Sequence, residues 1–112
     1  MENAMTLNDL QDYIHQLAQE WVDLKQWEQP TELEAVAFMV TEAAEALSDA
    51  LSAANSSFVR NNPDKDRSWA KVDVEVADTI IMALRYFAVR GMPAEAVILG
   101  KIKKMDEKRH NV

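Results

Sequence analysis

The chain has 112 residues, of which 48% are hydrophobic and 28% charged, the profile of one folded domain and not of a disordered segment. A formal net charge of -7 argues against a binder of nucleic-acid polymers or anionic membranes that works through a basic surface, and the absence of cysteine excludes disulfides and thiolate metal sites. No apolar run approaches the roughly 20 residues of a membrane span and the N-terminus lacks a signal-peptide pattern, so the expectation is a soluble, cytoplasmic, single domain over residues 1–112. Two glycines and three prolines leave little to interrupt helices, and alternating β patterns are missing. The first predicted helix carries Leu7, Leu10, Ile14, Leu17, Trp21 and Leu24 at spacings of three and four. A Thr6/Asp9 capping box opens it and Pro30 stops it. The second starts with Thr31 as N-cap, places Leu33, Val36, Val40, Ala44, Leu47 and Leu51 on its main stripe, and frays after Leu51. Residues 55–68 are polar and turn-rich, with Ser68 as the cap of the next helix. The third runs from Trp69 to Arg90, with Trp69, Val76, Ile80, Leu84 and Phe87 on one side and Gly91 at its end. Pro93 begins a fourth, reaching about Arg109, with Ile98, Ile102 and Met105 on one face and Lys101, Lys104 and Lys108 on another. The predicted fold is all-α: a four-helix bundle-like protomer that oligomerises through helix faces.

The second and third helices each carry an acidic pair inside an apolar run, Glu42 with Glu45 and Glu75 with Asp78. Residues three apart share a helix face, and Asp49 continues the first pair one turn on. Taken against the Val40 and Ile80 stripes the pairs point away from the core, as ordinary solvated charges do. Two features favour a site. Ala35, Phe38 and Ala46 share one carboxylate face and Val74, Met82 and Val89 the other, so both helices are apolar on two sides. Among the neighbours on those faces only Lys71 offsets the mutual repulsion of the carboxylates. If the pairs face each other, four carboxylates converge and need a cation. Oxygen ligands suit hard Mg²⁺, or Mn²⁺, and Mg²⁺ completes its shell with water and substrate phosphates.

The segments "EAAE" at 42–45 and "EVAD" at 75–78 resemble the EXXE and EXXD motifs of the all-α nucleoside triphosphate pyrophosphohydrolases. This superfamily includes MazG-like proteins, dimeric dUTPases, dCTP pyrophosphatases and phosphoribosyl-ATP pyrophosphatase. The resemblance extends from Leu10 to Lys108, and "EWVDLKQWEQPTELEAVAFMVTEAAEAL" is most similar to the short MazG-like and dCTP pyrophosphatase branches. It implies that Glu42, Glu45, Glu75 and Asp78 bind Mg²⁺. It further implies cleavage of a nucleoside triphosphate between the α and β phosphates, in nucleotide-pool house-cleaning, by a homodimer or homotetramer with sites near subunit interfaces. The expected catalytic base is Glu42 or Glu45. The family's C-terminal lysine is matched by Lys104, whereas its asparagine and arginine are replaced by Lys108 and Asn111.

Lys101 and Lys104 share a face and are the phosphate-binding candidates, although a helix dipole also favours cations there. Arg60, Lys65 and Arg67 sit in the connecting loop, where they can close over phosphates. Trp27 and Phe38 are the base-stacking candidates, Trp21 belongs to the core stripe, and His15 and His110 are surface residues. Two other readings stand beside this one: a non-catalytic helical assembly module, and phosphoribosyl-ATP hydrolysis.

Overall fold

The computed structural model describes residues 4–54 and 68–110; Arg60, Lys65, Arg67 and Asn111 lie outside them. It contains four helices, α1 (Leu7–Lys25), α2 (Glu32–Ala53), α3 (Trp69–Arg90) and α4 (Ala94–His110), and no strand among the described residues. None of these helices is long and apolar enough to cross a membrane.

Local chemistry explains the boundaries. Thr6 and Asp9 form the reciprocal capping box, each backbone N–H donating to the other's side chain at 3.0 Å. The Asp9 carboxyl is held below its ordinary range by these bonds, the Thr6 backbone bond first. α1 ends at Lys25, five residues before Pro30: Gln26 turns left-handed at φ 58°, and the Trp27 N–H closes on Val22 O at 2.9 Å. Ser68 Oγ accepts from the Ala70 N–H at 3.0 Å and starts α3. Gly91, at φ 67°, supplies the left-handed residue that ends α3 while the Met92 N–H bonds Phe87 O.

The described chain forms two compact units. One joins Met1–Thr31 to Leu84–Val112; the other is Glu32–Ala83. In the first, Ile14, Leu84 and Ala94 form the core with Leu7, Leu10 and Phe87 packed around them. Buried Gln11 links its ends, donating to Met92 O and accepting from the Ala94 N–H, both at 2.8 Å, while Asn8 Oδ1 accepts from the Glu95 N–H at 3.3 Å. The first free amides of α4 are therefore satisfied by side chains of α1.

In the second unit the inward faces reverse the expectation from hydropathy. Leu33, Val40, Leu47 and Leu51 of α2, and Trp69, Val76 and Ile80 of α3, are exposed. Ala35, Asp49, Ser52 and Val72 are buried. Both helices are apolar on two sides, and the side with small residues beside the carboxylates allows the close approach that branched side chains would block. Three further expectations change. Leu17, Trp21 and Leu24 are exposed on α1, where Lys25 Nζ lies 5.7 Å from the Trp21 ring centroid; so are Ile98, Ile102 and Met105 on α4. Leu84 and Phe87 alone of the third helix's predicted stripe reach the core cluster.

Candidate functional site

The carboxylates of the second unit converge because α2 and α3 turn their acidic faces inward. One oxygen each from Glu42, Glu75 and Asp78 lies within 4.8 Å of the others, and all three residues are half-buried. Along α3 the i, i+3 spacing carries Glu75 and Asp78 onto one line; Glu42 enters from α2. Glu45, exposed, stands beside this triad and faces a cavity of about 260 Å³ lined also by Ser48, Asp49, Lys71 and Glu75. Asp49 is buried at 3% exposure, and its Oδ1 is 3.8 Å from Lys71 Nζ.

Electrostatics set the character of the cluster. Burial raises the Glu42 carboxyl above its ordinary value of 4.5, and the Glu45 and Asp78 charges and a hydrogen bond to Glu45 add to this. Burial likewise raises Glu75, followed by side-chain hydrogen bonding with Glu45 and by the charges of Glu45, Asp49 and Asp78. The Glu75 Oε2 atom is buried with no hydrogen-bond partner among the described residues. Lys71 is the one cation lining the cavity, set against Glu45, Asp49 and Glu75, and the cluster holds an orphaned oxygen among the described residues.

A hard divalent cation fits such a donor set. Its oxygen ligands sit at about 2.0–2.6 Å, and the triad oxygens, all within 4.8 Å of one another, lie close enough together for one cation to reach all three. Glu42, Glu75 and Asp78 would hold it, with Glu45 adjoining.

A pH dependence follows from the raised acids. In the unfolded chain Glu42 and Glu75 ionise near 4.5; in the fold they keep protons to higher pH. The native state then binds more protons, so their contribution to stability falls as pH rises from 4.5 through the raised folded values. A cation held by the cluster would relieve that loss. The rise in thermal midpoint on adding Mg²⁺ in place of EDTA is expected to be larger near about pH 8 than near about pH 5. An equal or larger rise at the lower pH, by scanning calorimetry, would contradict the cluster's role.

Phe38, Lys101, Lys104 and Trp27 are not among the residues of the triad or of the cavity lining. Phe38 belongs to Glu32–Ala83 and is 44% exposed, so its ring is open to a ligand. Lys101, Lys104 and Trp27 belong to the other unit, all exposed. His15 and His110 are exposed, as expected. A larger cavity of about 370 Å³ between α1 and the Gly91–Pro93 turn is lined by Asn8, Gln11, Asp12 and His15. Its amide side chains are already engaged in holding α4, so the smaller acidic cavity is the better functional candidate. Asp49 and Lys71 were not among the sequence's site residues. The signal was present in their spacing, one turn beyond Glu45 and one turn before Glu75.

Comparison with protein-family models, curated proteins and solved structures gives no match for this chain.

Proposed function

We propose that this chain is a Mg²⁺-dependent nucleoside triphosphate pyrophosphohydrolase that releases a nucleoside monophosphate and pyrophosphate. The observation that carries the reading is the triad of Glu42, Glu75 and Asp78, with its orphaned Glu75 oxygen and too little positive charge. A negative substrate approaching a negative site requires a cation between them. When bound, Mg²⁺ or Mn²⁺ supplies Lewis acidity and offsets the charge of the phosphates. Glu42, Glu75 and Asp78 would hold the cation. Glu45, outside the triad and exposed, accepts at a carboxylate oxygen the proton of the water that attacks the α phosphorus. The bond from that phosphorus to the bridging α–β oxygen breaks, and the electron pair leaves with pyrophosphate. Phe38 offers an exposed ring near the second turn of α2 for stacking on the base.

The assembly part of the proposal is a homodimer or homotetramer built through the exposed Val40 stripe of α2. Leu33, Val40 and Leu47 recur there every seven residues, the spacing of a helix seam. The same stripe favours a second reading, a non-catalytic helical assembly module. A panel of canonical and modified nucleoside triphosphates with phosphoribosyl-ATP, assayed separately for pyrophosphate and orthophosphate, distinguishes the readings. The expected result is pyrophosphate release that stops in EDTA and returns with Mg²⁺ or Mn²⁺. Undiminished hydrolysis in chelator, or orthophosphate as first product, would defeat the enzyme reading; no turnover of any substrate would leave the assembly module.

A further inference from the structure

We propose that Lys71, positioned by buried Asp49, is the cation that binds the substrate's polyphosphate. The inference rests on the nucleotide reading above and deepens it by assigning a phosphate contact within the same unit as the carboxylates. Lys71 is the one lysine or arginine among the described residues of Glu32–Ala83. It lines the cavity shared with Glu45, Ser48, Asp49 and Glu75. That cavity, about 260 Å³, is smaller than the roughly 300–1,000 Å³ of pockets that enclose whole small molecules. Its size suits a phosphate chain whose nucleoside lies outside.

The ion pair has the form of a tether. Asp49 has 4% side-chain exposure and Lys71 has 41%, with Nζ and Oδ1 3.8 Å apart. Strong ammonium–carboxylate hydrogen bonds are about 2.7–2.9 Å long. The ammonium is therefore restrained without being saturated, and it keeps N–H donors for an incoming anion. Burying a carboxylate beside a half-exposed lysine is a poor source of stability, because desolvation offsets much of the attraction. It is an effective way to fix where a flexible four-carbon side chain ends. Lys71 lies one turn before Glu75 on the acidic line of α3, so a phosphate chain can meet a cation held by the triad at one end and the ammonium at the other. Lys101 and Lys104, the lysines expected from sequence, belong to the other unit.

The test is calorimetric binding of inorganic pyrophosphate in the presence of Mn²⁺, with Mn²⁺ binding alone followed by electron paramagnetic resonance. Lys71→Ala is expected to weaken pyrophosphate binding about ten-fold or more, the loss of one charge-assisted contact. Its Mn²⁺ affinity should be equal or higher, because a positive neighbour has gone. Lys71→Arg should retain most of the pyrophosphate affinity. If Lys71→Ala does not fold, the double variant Lys71→Ala/Asp49→Asn leaves no unpaired buried charge and carries the same expectation. A folded variant without Lys71 that binds pyrophosphate as tightly as wild type overturns the inference and leaves the enzyme reading standing. Wild-type protein that binds neither Mn²⁺ nor pyrophosphate overturns both.

Discussion

Glu75→Gln is expected to lower nucleotide turnover by about 10³-fold or more, the scale of losing a metal's charge stabilisation, while the protein stays folded. The substitution keeps shape and removes charge. Glu75 stands where the repulsions meet: it feels Glu45, Asp49 and Asp78, and its buried Oε2 has no hydrogen-bond partner among the described residues. A carboxylate that served structure would destabilise the fold when neutralised. A carboxylate kept for a cation does the opposite in metal-free protein, because its neighbours then repel less. The thermal midpoint of Glu75→Gln in EDTA should therefore equal or exceed that of wild type, and the stabilisation by Mg²⁺ should shrink. Asp73→Asn, an exposed residue of the same helix, is the control and should leave turnover unchanged. A fully active Glu75→Gln, or one inactive through unfolding, would remove the triad from the mechanism.

Leu47→Glu is expected to dissociate the assembly into monomers while leaving helical content intact. Leu47 is 62% exposed in the protomer, so the charge meets solvent there and costs the fold little. In an assembly through the Val40 stripe it would be covered. Burying a leucine side chain contributes about 1.5–3 kcal/mol, and a two-fold interface contains the residue twice. Losing both and burying two carboxylates in their place should raise the dissociation constant by about 10³-fold or more. Light scattering coupled to gel filtration reads the outcome directly. A wild-type protein that is monomeric at high micromolar concentration would remove the assembly proposal, and turnover by that monomer would show that the catalytic reading stands without it.

Much of this architecture was legible in the sequence where the signals are local. The Thr6/Asp9 capping box, the Ser68 cap and the left-handed Gly91 each act over a few residues, and the helix from Trp69 to Arg90 lies within the bounds they set. The meeting of Glu42 with Glu75 and Asp78 also followed from helical spacing, once two acidic faces were allowed to pair. What the pattern did not disclose was which side of α2 and α3 turns inward. Hydropathy ranks Val40, Leu47 and Ile80 above Ala35 and Ala46, and it takes no account of how closely two backbones must approach. Ala35 and Ser52 are buried on the inward side of α2, and Val40, Leu47 and Ile80 are left outside. The left-handed Gln26 was hidden because glutamine is an uncommon residue for that conformation. The tether of Lys71 to Asp49 was hidden because its partners lie on different helices.

The amides of Asn8 and Gln11 also decide axial register. Hydrophobic contact is non-directional, and the small cluster of Ile14, Leu84 and Ala94 tolerates sliding of one helix along another. Hydrogen bonds do not. Asn8 and Gln11 lie one turn apart on α1 and engage consecutive amides, Glu95 and Ala94, together with the carbonyl of Met92. A slip of α1 by one turn would break these bonds at once and leave the buried Gln11 amide and Ala94 N–H without partners. Two uncharged side chains thus give the ends of α1 and α4 one permitted alignment, a specificity that the apolar contacts between them lack.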